Sequence, residues 1–252
     1  MKLAILGYGR MGRAVEEIAR ERGHEVTAII DVDVNEEGKG ITAMRLKGAE
    51  VAIDFSSAEA VLPNVRNCAK LGIGIVVGTT GWEAVRNEVE EAVWSAGTAL
   101  LHSPNFSVGM LFFIRVVENA ARLVNRLDEF DVHLSETHHR HKKDHPGGTA
   151  RRLAEILVSE IDRKESWSTA LTEGIQVNPE VLQLSVARVG EVPGIHEVGI
   201  ESADDSILLR HEARGRKGFA RGAIVGAEWL QGRVGIYTME EIMEDIFNGS
   251  GQ

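Results

Sequence analysis

The sequence predicts an α/β protein, a doubly wound parallel sheet followed by a second α+β domain with a mixed sheet. Three observations carry that class. Short aliphatic and β-branched runs alternate with amphipathic helical spacing from Lys2 to His102. A glycine-rich turn links the first run to the first helical pattern. Beyond residue 104 the alternation stops, and strands joined by polar links dominate.

In order, Lys2–Leu6, Glu25–Ile30, Val51–Phe55, Ile73–Val77 and Ala99–His102 read as strands. Between them Met11–Arg22, Ser57–Leu71 and Trp82–Ala96 read as helices, with Val15, Ile18 and Ala19 forming an apolar stripe on the first. Nearly continuous apolar strands in such units imply a parallel sheet covered on both faces. Val108–Val124 is a longer apolar helix. Glu129–Ser135, Val181–Val189, His196–Ile200 and Ile207–Ala213 then read as strands, with a helix over Thr149–Ile161. Phe219–Leu230 and Met239–Phe247 return to helix and are too short to make a core alone. The expected division is therefore 1–106 for the first domain and 107–217 for the second. Residues 218–252 pack back on the first domain, and Asn248–Gln252 form a loose tail.

Composition excludes several classes. With 28 basic and 38 acidic residues the chain carries a formal charge of −10, which argues against nucleic-acid binding. The longest uncharged apolar run, Val108–Ile114, is too short to cross a bilayer, and Leu3–Leu6 is too short for a secretory signal. The single Cys68 excludes an internal disulfide and fits a reducing cytoplasm; its helical setting suggests a buried thiol. These readings give a soluble cytoplasmic protein.

Gly7-Tyr8-Gly9-Arg10-Met11-Gly12 stands between strand and helix, the context a Rossmann-type dinucleotide fingerprint requires. Glycines allow the tight turn and close approach of a pyrophosphate, whose charge rests on the helix N-terminus. An acid is expected about twenty positions on, and Asp31 ends the second strand. A carboxylate there accepts hydrogen bonds from the ribose 2′-OH of NAD and repels the 2′-phosphate of NADP. Val32 follows in place of a compensating arginine, though Arg10, Arg13 or Lys39 remains within plausible reach. NADH is the expected cofactor, with NADPH possible. Gly78, Thr79 and Thr80 end the fourth strand; Ser103, Pro104, Asn105 and Phe106 end the fifth. Ligands of open α/β sheets sit outside the carboxyl ends of strands, so both loops can line the nicotinamide side, unless they serve only as turns.

The second motif is ETHHRHKKDHPGGTA, residues 136–150, which holds His138, His139, His141 and His145 among Arg140, Lys142 and Lys143. No HExxH spacing is present and the cations oppose a metal, so none is expected. A solvated charge run remains open. The run leaves a strand and ends at a helix start, where backbone N–H groups and the Thr149 hydroxyl make a ready carboxylate site. Cations beside a helix N-terminus suit a small dicarboxylate. A histidine can supply a proton where hydride arrives, and neighbouring cations lower its pKa until an anion binds.

These motifs resemble the 4-hydroxy-tetrahydrodipicolinate reductase (dihydrodipicolinate reductase) family, whose signature is E-x-H-H-x-x-K-x-D-x-P-S-G-T-A. GYGRMGRAV, IDFSSAEA, GTTGW, PNFSVGM, RVGEVPGIHEV and FARGAIVGAEWL extend the likeness along the chain. The resemblance implies NAD(P)H-dependent reduction of a cyclic imine dicarboxylate in lysine and diaminopimelate synthesis, and a homotetramer. It makes His138 the proton donor and acceptor and Lys142 a second donor. His139 contacts substrate, and Gly148 and Thr149 hold a carboxylate. For the cofactor it points to Gly7 through Gly12, Asp31, Gly78 through Thr80 and Ser103 through Phe106. Two positions depart from the pattern. Gly147 replaces the usual Ser, and Val32 replaces the Arg of dual-cofactor members.

An amino-acid dehydrogenase and a nucleotide-sensing protein are the alternatives, and neither requires the histidine–lysine loop. His102 reads as packed, and His196 and His211 as surface or interface residues. The four tryptophans read as packing residues. Arg214, Arg216, Lys217 and Arg221 read as a solvated turn, and Glu240, Glu241, Glu244 and Asp245 as the wet face of the last helix.

Overall fold

A computed structural model describes residues 1–248; residues 249–252 of the expected tail lie outside the described residues. The chain divides into two compact units, one of Met1–Val108 with the segment from Arg216 onward, the other of Gly109–Gly215.

The first unit opens β1 (Lys2–Leu6), α1 (Arg10–Glu21), β2 (Glu25–Ile30), two 3-10 turns (Val32–Val34 and Glu36–Gly38) and α2 (Ala43–Leu46). It continues with β3 (Val51–Asp54), α3 (Ala58–Lys70), β4 (Gly74–Val77), a 3-10 turn at Glu83–Val85, α4 (Arg86–Ala96) and β5 (Ala99–His102). Leu3, Ala4, Ile5, Leu6, Ala52 and Ile53 are fully buried, as strands covered on both faces must be. Gly12, Val15, Ile18 and Ala19 form the buried stripe of α1.

The second unit holds α5 (Val108–Val124) from Gly109 on, β6 (Asp131–His138), α6 (Gly148–Glu160), β7 (Ser166–Ser168), β8 (Val181–Arg188), β9 (Ile195–Glu201) and β10 (Ser206–Glu212). Its sheet runs β10-β9-β6-β8-β7, parallel across β6, β8 and β7 and antiparallel across β6, β9 and β10. Val132, Leu134, Leu182, Leu184, Val198 and Ile200 share a core with Leu153, Ala154 and Leu157 of α6 and Phe113 and Val117 of α5. The sequence ends the strand before the histidine loop at Ser135. In the structure β6 runs three residues further, to His138, so Glu136 and His138 lie on a strand. Cross-strand pairing with β8 and β9 overrides the weak strand propensity of Glu-Thr-His.

The chain then returns to the first unit as α7 (Lys217–Leu230), β11 (Gly235–Thr238) and α8 (Met239–Phe247). The six-stranded sheet has the order β11-β5-β4-β3-β1-β2 and is parallel throughout. It is a Rossmann-type sheet, and the second unit supplies the mixed one. The sequence reading misses β11 and β7, whose four and three residues are too few to show a period. Thr238 ends β11 and caps α8 through a reciprocal box with Glu241, which takes one acid of the expected wet face into a structural role.

Helix α7 lies against the loop after β5 at Gly222, where an added Cβ would stand 1.7 Å from the Phe106 carbonyl oxygen. Helix propensity alone favours alanine over glycine by about 1 kcal/mol, whereas overpacking against backbone opposes it by about 1–3 kcal/mol. Gly222→Ala is expected to lower the melting temperature in a thermal scan, and a raised one would contradict the packing.

Candidate active site

The first unit gathers the predicted cofactor residues along the carboxyl edge of its sheet, in loops after β1, β2, β4 and β5. The three fingerprint glycines have separate reasons. Gly7 has φ +83°, and a Cβ there would meet the Phe55 carbonyl oxygen at 2.6 Å. A Cβ on Gly12 would meet the Gly7 carbonyl oxygen at 2.1 Å. Gly9 precedes α1 and faces open space, the position at which a pyrophosphate approaches the helix start. Met11 is half-buried and Arg10 exposed, while Tyr8 donates to Glu16 and lies under Arg13, its guanidinium 4.6 Å from the ring centroid. Lys39 pairs with Glu37.

Asp31 follows β2, and its Oδ1 accepts the Val32 amide, which orients the carboxylate. Gly78 leaves room for the Phe55 ring, which a Cβ would overlap at 2.1 Å; Phe55 in turn packs edge-on against Phe106. The Thr79 carbonyl accepts the Trp82 indole N–H, and Thr80 is exposed. Ser103 Oγ donates to the Asn105 carbonyl and accepts the Asn105 amide, and Asn105 Oδ1 accepts the Ser107 amide. Pro104 is exposed at the tip. The loop is a locked turn on a sheet edge suited to a ligand.

The second unit builds its site around Glu136. Its carboxylate is fully buried, on the helix-covered face of β6. Oε1 accepts Arg188 of β8 at 2.5 Å, and both oxygens accept the Gly147 amide, at 2.9 and 3.2 Å. His138 Nδ1 and His196 Nε2 each stand 3.6 Å from Oε2, with the rings edge-on and centroids 5.3 Å apart. His196 lies directly across from Glu136 in register. It is 4% exposed and neither ring nitrogen has a hydrogen-bond partner among the described residues, which corrects the surface role read from sequence. Lone β-strand histidines carry no signal of burial; only the pairing register reveals it.

Gly147 precedes α6, which starts at Gly148, one residue earlier than predicted. Gly148 is exposed and Thr149 half-buried, so the first turn of α6 presents amide donors to an anion. A Cβ at Gly147 would come within 2.8 Å of Glu136 Oε2 and 2.9 Å of Lys142 Cε. Glycine is thus what lets the carboxylate and the lysine close over this turn. Lys142 Nζ donates to both oxygens of Asp144, at 2.8 and 2.9 Å. His139 is half-buried, its ring tilted against that of His141. Arg140, His141, Lys143 and His145 are exposed.

Burial opposes charge on Glu136, but the His196 ring, the Arg188 guanidinium and the Gly147 amide outweigh it and hold the carboxyl at about 2. Burial pushes His138 the other way, down to about 4, with Glu136 only partly offsetting it and His196, Lys142 and Arg188 adding to it. At neutral pH His138 is therefore an uncharged imidazole beside an ionised carboxylate. The Lys142 ammonium holds the Asp144 carboxyl below its ordinary value. Glu136, His138 and His196 bring ligand atoms within 4.8 Å of one another, a spacing open to a metal ion. The carboxylate is already engaged by a cation and an amide, which opposes that use.

Other predicted features fall elsewhere. His102 is half-buried, edge-on to Trp82 at 5.5 Å, and burial lowers its pKa. Lys217 and Arg221 pair with Glu17 and Glu21 of α1. Trp82 is buried but Trp94 is 59% exposed, so packing does not explain all four tryptophans. Cys68 is buried and its thiol pKa is pushed up.

Residues 1–106 match the family description "Dihydrodipicolinate reductase, N-terminus", and residues 109–243 match "Dihydrodipicolinate reductase, C-terminus". The chain belongs to the dihydrodipicolinate reductase family. A 4-hydroxy-tetrahydrodipicolinate reductase of Christiangramia forsetii is 34% identical over 98% of this chain and 99% of its own. One of Archaeoglobus fulgidus is 35% identical over 97% of this chain and 100% of its own. The fold is shared with a dipicolinate-bound dihydrodipicolinate reductase from Paenisporosarcina sp. TG-14, with a TM-score of 0.74 at 18% identity. That likeness covers 96% of this chain and 99% of the other. Dihydrodipicolinate reductases are oxidoreductases that take a nicotinamide dinucleotide, and the glycine cradle, Asp31 and the carboxyl-edge loops fit such a ligand.

The His138 shift has a sign that can be checked. A histidine held neutral by burial stays uncharged as pH falls through 6.5 and gains its proton only near 4. In an NMR titration of the ligand-free protein, with the signal assigned by its loss in His138→Gln, the midpoint is expected near 4. A midpoint at the ordinary value would contradict the burial argument.

Proposed function

We propose that the chain reduces 4-hydroxy-tetrahydrodipicolinate to tetrahydrodipicolinate with NAD(P)H, in diaminopimelate and lysine synthesis. The observation that carries this reading is the junction of a neutral histidine and an open helix start on one buried carboxylate, in a member of this reductase family. A dicarboxylate ring fits those donors. Gly148, Thr149 and His139 bind it, and its negative charge raises the His138 pKa from about 4 toward neutrality. Once protonated, His138 delivers its proton to one end of the ring double bond after loss of water, and takes one back between turnovers. Lys142 is the second donor, released from Asp144 when a substrate carboxylate competes for its ammonium.

A bound nicotinamide would supply the hydride for the other end of that double bond. Gly7, Tyr8, Gly9, Arg10, Met11 and Gly12 receive the pyrophosphate, and Asp31 the ribose. Gly78, Thr79, Thr80, Ser103, Pro104, Asn105 and Phe106 line the nicotinamide side. Asp31 followed by the exposed Val32 favours NADH, with NADPH a second cofactor. We place the enzyme in the cytoplasm as a homotetramer binding neither membrane nor nucleic acid. The lone buried Cys68 fits a reducing compartment, and no helix among the described residues is long and apolar enough to cross a membrane.

A coupled assay that generates substrate from pyruvate and aspartate semialdehyde and follows NADH oxidation tests the reading. Turnover is expected, with higher kcat/KM for NADH than for NADPH. His138→Gln is expected to lower kcat by about 10²–10⁴-fold, the usual range for general acid catalysis. No oxidation above the enzyme-free rate would overturn the assignment; unchanged kcat in both His138→Gln and Lys142→Ala would move the proton chemistry elsewhere.

A further inference from the structure

Asp54 is a second buried carboxylate that the chemistry above leaves unused. It ends β3 in the middle of the first unit's sheet and is 0% exposed. Its Oδ1 accepts the Ser56 amide at 2.8 Å, the Ser56 hydroxyl at 2.6 Å and the Thr79 hydroxyl at 3.1 Å. Its Oδ2 accepts the Asn64 amide at 2.8 Å. Asn64, also 0% exposed, accepts Asn35 Nδ2 at 2.8 Å, and Asn35 Oδ1 accepts the Gly40 amide at 3.2 Å. Asn35 closes the 3-10 turn that Asp31 caps. One hydrogen-bonded chain thus runs from the turn beside Asp31, through Asn64 and Asp54, to the loop of Gly78–Thr80.

The donors on Asp54 are all neutral, and burial raises its pKa despite them. A buried charge held only by neutral dipoles depends on every one of them, so a shift in one donor changes how tightly the others are held. The chain ends at two loops that, on the cofactor placement proposed above, meet opposite ends of one dinucleotide. We propose that Asp54 is a positioning residue that couples the ribose-end turn to the nicotinamide-side loop, so that each end of the cofactor is bound more tightly when the other is seated.

A double-mutant cycle on the NADH Kd of the full-length protein tests this with Asn35→Ala, Thr79→Val and the pair. Both side chains are half-exposed, so the variants retain the buried core. Each is expected to weaken NADH, and the pair to weaken it less than the product of the two by about fivefold or more, the low end of ordinary site coupling. Asp54→Asn turns one acceptor into a donor facing the Asn64 amide and is expected to weaken NADH. The exchange Asp54→Asn with Asn64→Asp restores complementary donors along the chain and is expected to recover affinity. Thr79→Ser, which keeps the hydroxyl, is expected to recover affinity lost in Thr79→Val. Effects that multiply independently, or an exchange variant no tighter than Asp54→Asn, overturn the coupling while leaving the cofactor placement standing. If Thr79→Val leaves NADH binding unchanged, the placement of the nicotinamide-side loop fails, and the coupling with it.

Discussion

The ionised Glu136 carboxylate, buried beneath the helices of the second unit, is the constraint on which the rest of the site depends. A lone charge there would be untenable, so it must be satisfied by fixed partners. Arg188 from β8 and the Gly147 amide from the start of α6 bond to it, and the His138 and His196 rings of β6 and β9 stand beside it at 3.6 Å. These are four separate stretches of sequence. Removing one partner of such a buried pair typically destabilises by about 3–5 kcal/mol, enough to reset all of them together. The same demand explains Gly147. A side chain at that point would intrude on the carboxylate and on Lys142, so the loss of a hydroxyl admits a closer turn.

The carboxylate also governs what the histidine does. Glu136 at 3.6 Å draws a proton toward His138, but burial and the surrounding cations win, and the imidazole rests neutral. On the mechanism proposed above, a donor that lacks its proton at rest would be armed by the negative charge of what it binds. Proton delivery would then be tied to occupancy of the α6 start. Lys142 is restrained in a related way, held by Asp144 at the rim.

Much of this was legible in the sequence. The glycine spacing, the acid at Asp31 and the period of the early strands are local signals, and the fingerprint turn has the geometry those signals require. Val108–Val124 and Met239–Phe247 agree to the residue, because long apolar stripes and a capping Thr define their own limits. The histidine motif marks the loop but not the carboxylate that organises it. Glu136 reads as one polar residue in a polar run, and Arg188 and His196 lie 52 and 60 residues away. Their convergence is fixed by strand register, which no short window contains. Asn35, Asn64 and Asp54 are hidden for the same reason, since three common polar residues acquire meaning only through mutual distance.

Calorimetric binding of a ring dicarboxylate near pH 6, repeated in two buffers of different ionisation enthalpy, tests the central claim most directly. The account predicts uptake of about one proton per site by the parent protein, since a His138 pKa lifted from about 4 must gain its proton on binding, and little uptake by His138→Gln. A binding enthalpy independent of buffer in the parent protein would contradict it, because the histidine would then have been charged before the anion arrived or would never be charged at all.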